Sequence, residues 1–173
     1  MPAVHSDTVL PSVIFEFFGS YTQKQSNISG VENNEVKDFV RTLQSCSNVV
    51  LHGAIAYEML AEAIQNMDAF LICYDIKKDQ SKGTNYHKIM EYLSTGKVII
   101  SNNVTTYKKE PELLQMTDER ENNSQLPGLF KKIMNDLEWF NNSTLQQKRI
   151  AFAKNNSYQK QIERIEEIIT QNE

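Results

Sequence analysis

The sequence predicts an α/β fold, a doubly wound, Rossmann-like and mostly parallel sheet with helices on both faces. Two observations carry the prediction. Four short β-branched or aromatic runs lie between Val13 and Ser101, most of them closed by a glycine or a polar loop. Between them lie three helix-length segments whose apolar residues recur three and four positions apart. Strands separated by helices pair in parallel through right-handed crossovers, which places helices on both sides of the sheet.

The first run, Val13 to Gly19, is aromatic and ends at glycine. After a Ser, Gln and Asn loop, Val36, Phe39, Val40 and Leu43 form one helical stripe with Asn33 or Asn34 as its cap, a helix expected to cover the sheet. Val49 to Gly53 reads as the second strand, and Leu60, Ala63, Ile64 and Met67 mark the second helix. Ala69 to Tyr74 is continuously apolar, which suits a central strand buried on both faces. Tyr86, Ile89, Met90 and Leu93 define a helix capped by Thr84 or Asn85 and ended by Gly96, before the fourth strand, Val98 to Ser101. Beyond it the reading is a short edge strand at Leu113 to Met116 and a helix from Leu126 to Leu137 with Pro127 in its first turn. Two more helices follow, from Leu145 to Ala153 and along Ile162, Ile165 and Ile169.

At 173 residues the chain fits one domain, read as residues 13–173 after a flexible segment 1–12. The net charge of -4 argues against general nucleic-acid binding, which needs a basic surface. Cys46 and Cys73 lie far apart in sequence and read as buried, reduced thiols. There is no secretory signal pattern and no run of 18 apolar residues, so the expectation is a cytoplasmic protein without a membrane span.

In an open parallel sheet, ligands bind beyond the carboxyl ends of the strands. The loops of interest follow Gly19, Gly53 and Tyr74, and the third leads into the segment from Gly83 to Val98. The helix there presents unpaired N–H groups from Asn85 to Lys88, a ready anion site reinforced by the helix dipole. Lys88 adds positive charge, and Glu91 falls on the same helical face, away from Ile89, Met90 and Leu93. A cation for phosphate beside an acceptor for two ribose hydroxyls suits a nucleoside diphosphate. An ordinary exposed Lys/Glu pair accounts for the same spacing. His87 fits a phosphate or sugar contact, or simply polar surface. Tyr74 and Asp75 are placed to line a sugar pocket, or are ordinary strand-end residues. His52 reads as structural, and no cluster shows metal-ligand spacing.

The run from Asn85 to Ser101, with its Lys88-x-x-Glu91-Tyr92-Leu93-x-x-Gly96-Lys97 core, resembles the donor-site segment of retaining GT-B glycosyltransferases of the group-one or family-four type. The preceding Asn48 to Gly53 strand and the Tyr57 to Leu60 helix start resemble the elements found before that site. The likeness covers about residues 13 to 107. It implies that Glu91 binds the ribose hydroxyls and that the helix start at Thr84, Asn85, Tyr86 and His87 receives the diphosphate with help from Lys88. Lys88 and Glu91 would then form the catalytic pair. Gly19 and Ser20 would approach the phosphates, Gly53 and Tyr57 would belong to the base pocket, and Tyr74 would face the sugar.

The implied reaction is sugar transfer from a UDP- or GDP-linked donor to an acceptor, in bacterial surface polysaccharide synthesis, with no metal cofactor. The implied partner is an N-terminal acceptor-binding domain, for which 173 residues leave no room, so the expectation is weak nucleotide binding and no turnover alone. Membrane-surface association stays open for the full enzyme. Two positions depart from the family pattern. Gly83 stands where a first glutamate usually contacts the donor sugar, and the nearest base after Gly19 is Lys24, five positions on. The reading from a different class is a non-catalytic Rossmann-like protein-interaction domain.

Overall fold

Parallel strands alternating with helices make up the chain, as the periodicity predicts. The computed structural model describes residues 13–21, 34–74, 86–120 and 122–171. They fall into two compact units, the first ending at Ala63 and the second beginning at Ile64. The segment 1–12 read as flexible lies outside the described residues.

In the first unit, β1 (Phe15–Phe18) pairs in parallel with β2 (Val49–Gly53), with α1 (Asn34–Ser45) between them in sequence; α2 (Tyr57–Gln65) follows, and the boundary between the units falls within it. The Phe15 amide donates to the Asn48 carbonyl at 2.8 Å, and the Asn48 side chain donates to the Val13 carbonyl at 3.1 Å. These bonds fix the amino ends of both strands. At the other end the register slips so that Phe18 lies opposite Gly53. The Phe18 ring stacks on His52 with centroids 4.4 Å apart, and His52 Nε2 lies 2.8 Å from Glu16 Oε2. His52 is thus held as a structural residue, as its sequence context suggests.

The α1 stripe is only half covered. Val40 and Leu43 are partly buried, whereas Val36 and Phe39 are 51% and 59% exposed. The cause is geometric: among the described residues β1 and β2 form a two-stranded sheet, too narrow for a long apolar stripe.

The second unit holds a three-stranded parallel sheet in the order β3 (Ala69–Ile72), β4 (Val98–Ser101) and β5 (Leu114–Met116). The helices are α3 (Tyr86–Ser94), α4 (Leu126–Asn135), α5 (Leu137–Phe140), α6 (Ser143–Asn155) and α7 (Tyr158–Thr170). Side chains alternate across a strand. Val98 and Ile100 therefore pack on one face with Leu126, Ile133 and Phe140, while Phe70, on the other, stacks on Tyr92 of α3 at 4.0 Å. Helices α4 and α3 thus cover opposite faces, and β4 is fully buried. Among the described residues the strands form two sheets, of two and three strands, where the sequence suggests one.

Several expectations need correction. Among the described residues β3 pairs only with β4, so it is an edge strand and not a central one, and Leu71 is 43% exposed. The helix predicted along Ile162, Ile165 and Ile169 forms as α7, with all three isoleucines more than half exposed. Both cysteines are free but exposed, because each follows the last residue of its helix or strand, where burial ends. The short edge strand β5 forms as predicted, as do α6 and α7. The helix read from Leu126 to Leu137 instead ends at Asn135 as α4, with Pro127 accommodated in its first turn, and Leu137 opens the separate α5.

One buried charge ties the second unit together. Arg149 on α6 is 0% exposed. Its Nε donates to the Glu112 carbonyl at 3.1 Å, and its Nη1 donates to the carbonyls of Gly96 at 3.0 Å and Phe140 at 2.9 Å. Burial pushes the guanidinium down to about 10, so it stays charged at neutral pH. No helix among the described residues is long and apolar enough to cross a membrane.

Candidate functional site

The site is organised by α3. Ile89 and Leu93, one turn apart, are both 0% exposed and pin the helix to the sheet. At its end the amides of Thr95 and Gly96 donate to the carbonyls of Tyr92 and Leu93. Gly96 has φ +78°, the left-handed conformation that terminates helices. A Cβ added there would lie 3.1 Å from both Gln146 Cβ and Ile150 Cδ1 of α6. Gly96 therefore ends α3 and also lets α6 pack closely beside it, a second role that the sequence pattern does not show.

With that face buried, Lys88 is exposed and Glu91 half-buried on the outward side, as the spacing predicts. The Glu91 carboxylate makes no hydrogen bond or ion pair among the described residues; only its backbone carbonyl is engaged, accepting from Ser94 Oγ at 2.6 Å. The ordinary surface Lys/Glu pair is accordingly not formed. Glu91 lies near enough to act on its neighbours electrically: the Tyr92 hydroxyl is pushed upward mainly by burial, then by the charge on Glu91 and by Tyr74. Tyr74, Tyr92 and Glu91 thus share one region of the second unit.

Tyr74 is fixed by side chains that sequence reading did not single out. Its amide donates to Asn102 Oδ1 at 3.1 Å, and its carbonyl accepts from Asn102 Nδ2 at 3.4 Å and from Asn123 Nδ2 at 3.1 Å. Asn102, 5% exposed, follows β4 directly and ties the carboxyl ends of β3 and β4 together. Its signal in the sequence is an amide residue just past an apolar strand, a pattern too common to select it. His87 is exposed, and its Nδ1 lies 3.0 Å from the Tyr158 hydroxyl at the start of α7.

Of the remaining predicted residues, Thr84, Asn85, Asp75, Gly83 and Lys24 lie outside the described residues; Tyr86 opens α3, but its side chain is outside them as well. Within the first unit, Gly19 and Gly53 both have positive φ, +123° and +74°, and the Gly19 amide donates to the Gly53 carbonyl at 2.8 Å. The Tyr21 ring rests 3.8 Å from where a Gly53 side chain would begin. Ser20 is half-buried beside them, and Tyr57, the first residue of α2, is 65% exposed.

Among the described residues there is no group of three or more His, Cys, Asp or Glu side chains placed to hold a metal ion. Comparison with protein-family models, with curated proteins and with solved structures gives no match to this chain.

Proposed function

We propose that the chain is the donor-binding half of a glycosyltransferase of the GT-B type, and that it binds a nucleoside diphosphate sugar. The observation that carries this reading is Glu91. It is a half-buried carboxylate one turn into a helix, without a hydrogen-bond or ion-pair partner among the described residues, next to Lys88 on the same face. Its oxygens are free to accept from a ligand, and two vicinal hydroxyls of a ribose are the complement a carboxylate fits. The start of α3 would supply N–H groups and a positive potential to the diphosphate.

The doubly wound reading of the fold rests on the parallel pairing of all five strands and on α3 and α4 covering opposite faces of the β3-β4-β5 sheet. Gly19, Ser20, Gly53 and Tyr57 enter the proposal on the sequence resemblance, supported by the open left-handed turns at the two glycines. In the reaction the departing diphosphate gathers negative charge. The α3 terminus and Lys88 would stabilise it by electrostatics, while Glu91 would hold the ribose and so fix where the leaving group sits. The acceptor and the remaining catalytic groups would come from an acceptor-binding half.

Calorimetric titration of the full chain with UDP and with GDP tests the reading. Heat of binding to one of them, lost in Glu91→Ala without loss of fold, is the expected result. Absence of binding to both nucleotides overturns it and favours a non-catalytic interaction domain.

A further inference from the structure

We infer that Tyr158 is a positioning residue for the proposed donor site, acting through His87; the inference rests on the reading of α3 as the diphosphate-binding helix. The Tyr158 hydroxyl lies 3.0 Å from His87 Nδ1, and the two rings stack with centroids 5.9 Å apart and planes 27° from parallel. In a neutral imidazole, the hydrogen bond made by one ring nitrogen sets which nitrogen carries the proton. With the tyrosine hydroxyl donating, Nδ1 accepts and the proton resides on Nε2. His87 sits in the first turn of α3, so this tautomer gives an N–H donor suited to an anionic oxygen at that helix end. The opposite tautomer would present a lone pair and repel phosphate.

Tyr158 reaches this place through its neighbours in the chain. Helix α6 packs along α3 through the gap left by Gly96 and is anchored by Arg149. A short turn follows, in which Ser157 caps α7 by accepting the Lys160 amide at 3.3 Å, and Arg164 Nη2 donates back to the Asn155 carbonyl at 2.8 Å. The first residue of α7 is thereby delivered to the first turn of α3. Tyr158 is itself 73% exposed, so packing does not explain its position; the contact with His87 is what its ring and hydroxyl do.

The test uses the full chain with imidazole nitrogens labelled, His87 being assigned with a His87→Gln variant. Nitrogen chemical shifts should show His87 mainly as the Nε2–H tautomer in the wild type and as a mixture in Tyr158→Phe, a change that a merely structural tyrosine would not produce. UDP and GDP are then titrated into both proteins. Tyr158→Phe should weaken nucleotide binding about two- to tenfold, the usual worth of one hydrogen bond, and should have no further effect in a His87→Gln background. A wild-type Nδ1–H tautomer, or additive losses in the double variant, overturns the inference. Nucleotide binding lost in Glu91→Ala but unchanged in Tyr158→Phe overturns it while leaving the donor-site reading intact. Absence of binding to the wild type overturns both.

Discussion

Arg149→Met removes the guanidinium while keeping most of the buried stem, so it isolates the polar contribution of the clamp. Three N–H···O=C bonds are lost, to the carbonyls of Glu112, Gly96 and Phe140. Those carbonyls lie before β5, after α3 and at the end of α5, so one side chain links three separate segments. A hydrogen bond from a charged donor contributes about 1.5–3 kcal/mol, against which stands the cost of burying a cation that faces carbonyls and not a carboxylate. Each buried carbonyl left without its donor costs about 1–3 kcal/mol, so losing three of these bonds removes a large share of a total stability of about 5–15 kcal/mol.

Urea unfolding followed by circular dichroism measures the loss. Arg149→Lys should fall between wild type and Arg149→Met, since one ammonium does not span three carbonyls. The pH dependence has a definite sign. Folding lowers the pKa of this base to about 10, so its charged form is disfavoured by folding. That cost is present in full below about 10 and fades as the pH rises beyond it towards the ordinary guanidinium range. The gap between wild type and Arg149→Met should therefore be flat through neutral pH and widen only in that alkaline window. A variant within about 1 kcal/mol of wild type, below the range for even one charged hydrogen bond, would refute the assignment of Arg149 as the link between these segments.

Gly96→Ala should destabilise the chain by about 2–4 kcal/mol, combining a left-handed backbone penalty with overpacking against α6; thermal unfolding reports it, and a neutral effect would contradict the close approach at 3.1 Å. Cys73 should alkylate slowly at mildly alkaline pH, because partial desolvation of its sulfur, in a residue that is otherwise exposed, holds its thiol above its ordinary value of 9.0. The Asn123 hydrogen bond pulls the other way, so Asn123→Ala should slow Cys73 further; mass spectrometry of iodoacetamide-treated protein reads both rates, and a faster reaction in the variant would count against this account.

The elements were legible because each carries its own period. The α3 segment gave its helix, its buried stripe of Ile89 and Leu93, its terminating glycine and its outward Lys88 and Glu91 from spacing alone. What spacing does not encode is how many strands stand beside a given strand. The apolar run at Ala69 to Ile72 looks central, yet β3 is an edge among the described residues, and Leu71 is exposed on it. The Ile162, Ile165 and Ile169 stripe announces an amphipathic helix without saying whether anything covers it. Arg149 is illegible for a different reason: a lone arginine in a helix is ordinarily surface, and only the convergence of three distant carbonyls makes burial tolerable. At the site, Asn102 and Tyr158 act through contacts 28 and 71 residues away in sequence, beyond the reach of any local motif.

The central claim, that Glu91 recognises the ribose of a bound nucleotide, is tested most directly by a double cycle between Glu91→Ala and removal of the ribose hydroxyls. GDP or UDP, whichever binds, is compared with its 2′,3′-dideoxy counterpart on both proteins by calorimetry. The account predicts that the dideoxy nucleotide binds the wild type at least about tenfold more weakly, the worth of hydrogen bonds to a charged acceptor, and that it binds Glu91→Ala as well as the intact nucleotide does. Equal affinity of the wild type for both nucleotides, or an undiminished preference for the intact ribose in Glu91→Ala, would contradict it.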